Sequence, residues 1–147
     1  MGKTICFVNN KGGCGKTTTV CAVGQAWAEL GKKILFVDLD SQSNLTCIIT
    51  DTDPSTKEWE QTLEDAFVGG PDYGLPIEHV SENIDIIPSD LDLSNFERET
   101  ARYTGREFLL ADLLETVKEN YDYILIDCPP ALGLITYNAL VASDYMV

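Results

Sequence analysis

The sequence predicts an α/β fold, a mostly parallel sheet with helices on both faces, and three observations carry that prediction. Short, largely apolar runs recur at 4–8, 34–37, 84–87 and 123–126, the pattern of strands covered on both sides. Between several of them lie stretches whose apolar residues fall three and four apart, the period of helices that cover a sheet. Two of the runs deliver aspartates at their carboxyl ends, where open α/β sheets place their ligands.

The first run ends in Asn9 and Asn10, and the glycines that follow break it before a helix can start. From Thr17, the residues Val20, Val23, Trp27 and Leu30 recur at helical spacing, and Gly31 with Lys32 and Lys33 supplies the stop. The run 34–37 is then a buried strand that delivers Asp38 and Asp40, and strand, helix, strand in this span is one βαβ unit. Residues 51–73 are acidic and predict a surface helix, with Trp59, Leu63 and Phe67 four apart and Gly69, Gly70 and Pro71 ending it. A strand over 84–87 is closed by Pro88 and Ser89, and 91–105 is polar and weakly patterned. A helix is expected over 108–118 through Leu109, Leu110, Leu113, Leu114 and Val117. The strand 123–126 ends at Asp127 before Pro129 and Pro130, and a short helix follows over 134–141. The last residues, from Asp144 to Val147, begin another apolar run.

A chain of 147 residues with 44% hydrophobic content has room for one domain with a sizeable core. With 10 Lys and Arg against 24 Asp and Glu the formal charge is −14, which opposes approach to a nucleic-acid backbone except where the basic groups cluster. Lys11 and Lys16 do cluster. The five cysteines, Cys6, Cys14, Cys21, Cys47 and Cys128, contain no CxxC pair, so neither a disulfide framework nor a metal or redox pair is suggested. No run approaches the roughly 20 apolar residues of a membrane span, and the start MGKTICFVNN reads as a first strand. A soluble, cytoplasmic protein is expected.

The chemistry is concentrated in Lys11, Gly12, Gly13, Cys14, Gly15, Lys16, Thr17 and Thr18. A glycine-rich stretch between a strand and a helix lets backbone N–H groups and the helix start hold phosphate oxygens, because a side chain there would keep the backbone from closing round them. Lys16 is placed to reach the β and γ phosphates and the Thr17 hydroxyl to ligate Mg²⁺. The plain pattern GxxxxGK[ST] asks for Gly at position 10, where this chain has Asn10. What stands is a deviant form with an extra lysine, Lys11. A glycine-rich turn with two solvated lysines is the alternative, and it is weakened by Asp38, Asp40 and Asp127 at the ends of neighbouring strands, where a carboxylate can hold Mg²⁺ through water. One aspartate at a strand end is commonly a turn former or cap; three at these elements are harder to read that way.

These residues resemble the ParA/MinD family of deviant Walker-A P-loop ATPases, and ParA-type partition ATPases in particular. KGGCGKTTT is similar to the family's signature loop, LFVDLDSQSNLT to its motif DxDPQGNxT, and YDYILIDCPPALGLITYNALVASD to its Walker-B segment and following helix. The likeness covers 1–50 and 83–147, with 51–82 matching loosely. It implies a P-loop NTPase-like fold in which residues 1–147 are the N-terminal part of a single domain, lacking the C-terminal strands and helices. The departures are Ser41 for Pro and Ser43 for Gly, in the turn that aims Asp40, so slower hydrolysis is expected.

By the same resemblance Lys11 is the signature lysine that reaches the partner subunit's phosphates. Gly13, Gly15 and Thr18 complete the phosphate cradle with Gly12 and Cys14. Asp40 positions the attacking water, Asp38 supports the Mg²⁺ environment, and Asp127 holds the metal's water shell. The implied protein is an ATP- and Mg²⁺-dependent ATPase for plasmid or chromosome segregation in the bacterial cytoplasm. It dimerises with ATP, meets a ParB-like adaptor, and binds nonspecific DNA through residues beyond this chain, with no membrane expected. A MinD-like membrane-associated cell-division ATPase and a non-catalytic fragment are the alternatives, the former requiring a terminal basic amphipathic helix.

Overall fold

The computed structural model describes residues 2–9, 15–53 and 61–147. Six strands form one sheet in the order β3-β4-β2-β5-β1-β6. They are β1 Lys3–Phe7, β2 Ile34–Asp38, β3 Glu78–Ser81, β4 Ile84–Ile87, β5 Tyr123–Asp127 and β6 Tyr145–Met146. All neighbours are parallel except β3, which runs antiparallel to β4 at one edge. The longer helices are α1 Lys16–Glu29, α2 Asn44–Thr50, α3 Leu63–Gly69, α4 Phe96–Glu99, α5 Leu109–Glu115 and α6 Leu134–Ala142.

Every residue of β2 is buried, and its side chains alternate between two cores because successive residues of a strand face opposite sides. Leu35 and Val37 join Leu63, Phe67, Phe96, Leu110, Leu113 and Ala139 on the face covered by α3 to α6. Ile34 and Phe36 join Val20, Cys21, Ala28, Leu45 and Ile49 on the face covered by α1 and α2. The continuous apolar runs read as strands are therefore strands with a helical layer on each side.

The structure departs from expectation in four places. Leu30, expected on the covering face of α1, is 77% exposed; Val20 is buried and Val23 and Trp27 pack against the core as expected, with Cys21, Gly24 and Ala28 buried beside them. Gly24 stands on that face because Phe36 lies against it: a Cβ there would sit 2.2 Å from the Phe36 ring. The helix expected at the surface around Leu63 and Phe67 begins only at Leu63 and is not peripheral, since both side chains are buried and Phe67 tilts against Phe96 at 4.5 Å; Trp59 lies outside the described residues. The weakly patterned stretch 91–105 holds a 3-10 turn at Leu91–Asn95 and α4, which bury Leu93 and Phe96. Finally, β3 went unread because Glu78, His79 and Ser81 are exposed and leave no apolar run; it is held by backbone pairing to β4 at the sheet edge.

The four cysteines within the described residues, Cys6, Cys21, Cys47 and Cys128, are free thiols. Among the described residues no helix is long and apolar enough to cross a membrane.

Candidate active site: the start of α1 and three aspartates

The sheet order decides where the chemistry meets. β5 lies between β1 and β2, and its register sets Asp127 opposite Phe7 on one side and Asp38 on the other. The carboxyl ends of three parallel strands thus meet where the chain from β1 turns into α1. Residues 10–14, which include Lys11, Gly12, Gly13 and Cys14, lie outside the described residues. Gly15 closes that segment in the left-handed region at φ 77°, a conformation that costs glycine nothing and other residues about 1–2 kcal/mol. Its carbonyl accepts from both the amide and the hydroxyl of Thr19, each at 2.9 Å.

Lys16 and Thr17 then open α1 and point across to β5. The Lys16 ammonium donates to Asp127 Oδ1 and to the carbonyl of Cys128. Thr17 Oγ1 donates to the other carboxylate oxygen, Asp127 Oδ2, at 2.7 Å. Asp127 is fully buried, and a buried carboxylate demands such partners. Lys16, Thr17 and Asp127 are brought together; Thr18 is exposed one residue on.

Asp38 is also fully buried. Its Oδ2 accepts the backbone N–H of Thr46 at 2.9 Å and the Thr46 hydroxyl at 2.7 Å, and its Oδ1 accepts the amide of Asp40 at 3.1 Å. Burial pushes its carboxyl up to about 7; the bonds from Thr46 and Asp40 oppose the shift and the neighbouring Asp127 adds to it. Asp40 is at the edge of this buried group, 9% exposed, with Oδ1 accepting the Gln42 amide at 3.0 Å and its carbonyl accepting the Ser43 amide at 2.8 Å. Ser43, the residue standing where the resembled motif has glycine, takes φ 60°. The serine therefore occupies a left-handed position that glycine would enter without strain.

The residues that sequence reasoning passed over are Thr46 and Ser89. Thr46 Oγ1 accepts the Ser89 amide at 3.0 Å while donating to Asp38. The threonine was within the quoted segment LFVDLDSQSNLT; nothing local marks it as the partner of Asp38, eight residues earlier. The Cys128 carbonyl, as a backbone group, carries no sequence signal.

Known proteins resemble the chain over its whole length. A family profile described as an AAA domain matches residues 2–147. The sporulation initiation inhibitor protein Soj of Bacillus subtilis is 45% identical over 148 residues, covering 100% of this chain and 57% of that protein. The chromosome partitioning protein ParA of Caulobacter vibrioides is 37% identical over 145 residues, covering 97% of this chain and 53% of that protein. Among solved structures, a cobyrinic acid a,c-diamide synthase from Mycobacterium smegmatis with bound ADP and magnesium superposes with a TM-score of 0.89 at 32% identity, over 99% of this chain and 58% of that one. The chain spans a little over half the length of the relatives it matches. With its parallel sheet, its Lys16–Thr17–Asp127 cluster and a profile match from residue 2 to residue 147, the chain belongs to the ParA/Soj family of deviant Walker-A P-loop ATPases.

Proposed function

We propose that this chain is the nucleotide-binding part of a Mg²⁺-dependent partition ATPase that uses ATP as a dimerisation switch. The observation that supports it is the convergence of Lys16 and Thr17 on the buried Asp127, beside Asp38 and Asp40. A lysine and a hydroxyl at the start of a helix, facing a carboxylate at a strand's end, are the groups that an Mg²⁺-bound triphosphate requires, so the residues fit the ion.

In this reading Lys16 exchanges Asp127 and the Cys128 carbonyl for β and γ phosphate oxygens. Thr17 Oγ1 and Asp127 would hold Mg²⁺ when it is bound, and Asp38 would support that environment from within the core. Bound there, the ion would supply neutralisation of charge on the phosphate oxygens, which is much of what phosphoryl transfer asks of a protein. Asp40, held by the Gln42 amide on one carboxylate oxygen, orients the attacking water. Gly12, Gly13, Cys14, Gly15 and Thr18 line the phosphates, and Lys11 neutralises charge in the partner subunit's site. In the same reading nonspecific DNA is contacted by residues beyond this chain, since the formal charge of −14 opposes approach to a phosphate backbone, and a ParB-like adaptor triggers release in the bacterial cytoplasm at the nucleoid.

Isothermal titration with ATP and Mg²⁺ tests the reading. Binding is expected, with Lys16→Ala weakening it by at least ~10-fold, the loss of one or more charge-assisted bonds to phosphate. No heat at millimolar nucleotide would end it. Lys11→Ala is expected to bind ATP but to stay monomeric with it in light scattering.

A further inference from the structure

We propose that Thr46 is the positioning residue of this site: its hydroxyl joins the Asp38–Asp40 turn to the exit of β4 and so fixes where Asp40 stands. The inference rests on the ATPase reading for its catalytic consequence and on geometry alone for the joint itself. A threonine hydroxyl has one proton and two lone pairs. Here the proton goes to Asp38 Oδ2 at 2.7 Å and a lone pair receives the Ser89 amide at 3.0 Å. The same residue's backbone N–H goes to the same carboxylate oxygen at 2.9 Å.

All three participants are sealed: Thr46 and Asp38 are 0% exposed and Ser89 is 1% exposed. Bulk water therefore cannot replace a missing hydroxyl. Removing it costs Asp38 one of three donors and leaves the Ser89 amide without its acceptor, and a buried unpaired group drives local rearrangement.

From Asp38 the chain of bonds continues to the catalytic turn. Asp38 Oδ1 holds the Asp40 amide at 3.1 Å, and the Asp40 carbonyl holds the Ser43 amide at 2.8 Å, in front of the left-handed Ser43 that starts α2. Asp40 thus has its backbone fixed by Asp38, Asp38 by Thr46, and Thr46 against the residue that leaves β4. Thr46 touches no reacting atom in this scheme. It acts through Asp38, and a displacement of order 1 Å at a positioned group can cost about 100-fold in rate.

The variants Thr46→Val, which keeps the shape and loses the hydroxyl, and Thr46→Ser, which keeps the hydroxyl, separate this role from simple packing. In the full-length protein carrying this chain, Thr46→Val is expected to lower kcat for ATP hydrolysis by about 10- to 100-fold with KM within about twofold, and Thr46→Ser to restore most of it. Thr46→Ala serves in the same comparison if the valine variant does not fold. Equal kcat in wild type and Thr46→Val, or a serine variant as slow as the valine one, overturns the proposal. Amide hydrogen exchange without nucleotide judges the joint independently of any ATPase activity. Exchange at Asp40, Thr46 and Ser89 is expected to rise together in Thr46→Val, and an unchanged Asp40 amide overturns the joint even where hydrolysis is observed. Should the wild type bind no ATP, the ATPase reading falls and the exchange result still decides the joint.

Discussion

At the scale of single residues, the turn after β2 holds a serine in the left-handed region. Ser43 is 3% exposed and holds φ 60°, a region that β-branched side chains avoid and glycine enters freely. Its left-handed geometry lets its amide reach the Asp40 carbonyl and α2 begin at once. Ser43→Gly relieves about 1–2 kcal/mol of backbone strain but loosens the unfolded chain by about 0.4–1 kcal/mol. A net gain of between about zero and about 1.6 kcal/mol in denaturant unfolding is therefore expected. Ser43→Val adds a branched Cβ to the same backbone and is expected to cost about 2 kcal/mol or more. Equal stability of the two variants would show that the turn does not hold this conformation.

At the scale of elements, α1 does two jobs, presenting Lys16 and Thr17 at its start and covering β2 with its middle. The second depends on closeness. Gly24 lets the helix backbone approach until a Cβ would lie 2.2 Å from Phe36 Cζ and 3.1 Å from Leu125 Cδ1, and Phe36 is itself fully buried. Gly24→Ala would gain helix propensity of up to about 1 kcal/mol and lose about 1–3 kcal/mol to overpacking. The second effect is expected to dominate, because the contact is with a ring packed on all sides. A lower thermal midpoint is the predicted result, with weaker ATP binding in proportion to any shift of Lys16; a variant as stable as wild type would place α1 further from the sheet. Elsewhere local chemistry decides an element's start. Thr62 and Asp65 form a reciprocal capping box, each side chain bonded to the other's amide, which starts α3 at Leu63 and orients Leu63 and Phe67 toward the core.

At the scale of the whole molecule, the excess of acid shapes its response to solvent. Glu64 is raised above the usual carboxylate range by burial first and then by Asp92, Glu99, Asp90 and Asp65, and Asp90 by burial and then Asp92. A carboxyl whose folded value is raised holds its proton in the fold at a pH where the unfolded chain has lost it. Its contribution is fully present below the ordinary carboxylate range and is lost as pH climbs through the raised value. These groups therefore predict falling stability from about pH 4 upward, with added salt recovering part of it by screening. Glu64→Gln is expected to raise the melting temperature at neutral pH and to reduce its salt dependence. A variant that melts lower, or with the wild-type salt dependence, would remove this cluster as the cause.

What the sequence determined by itself was the set of buried strands and the aspartates at their ends, because those depend on short patterns, an uninterrupted apolar run and an acid that follows it; the phosphate-loop reading rests on glycines before a lysine, and residues 10–14 of it lie outside the described residues. Ser43 as a departure from glycine was legible for the same reason. The inward face of α1 was legible in Val20, Val23 and Trp27 but not in Gly24, which carries no hydrophobic signal and whose place depends on Phe36, a residue of another element. Nor was β3, which has no buried run and exists by pairing along an edge. The tertiary structure alone decided that β5 lies between β1 and β2, and so that Lys16, Thr17 and Asp127 share one set of hydrogen bonds while Asp38 sits beside them. It also decided that Thr46 holds Asp38 and Ser89 together. Contacts between residues as far apart as Thr17 and Asp127 are set by strand order and register, which arise when the chain packs and are written in no single stretch of it.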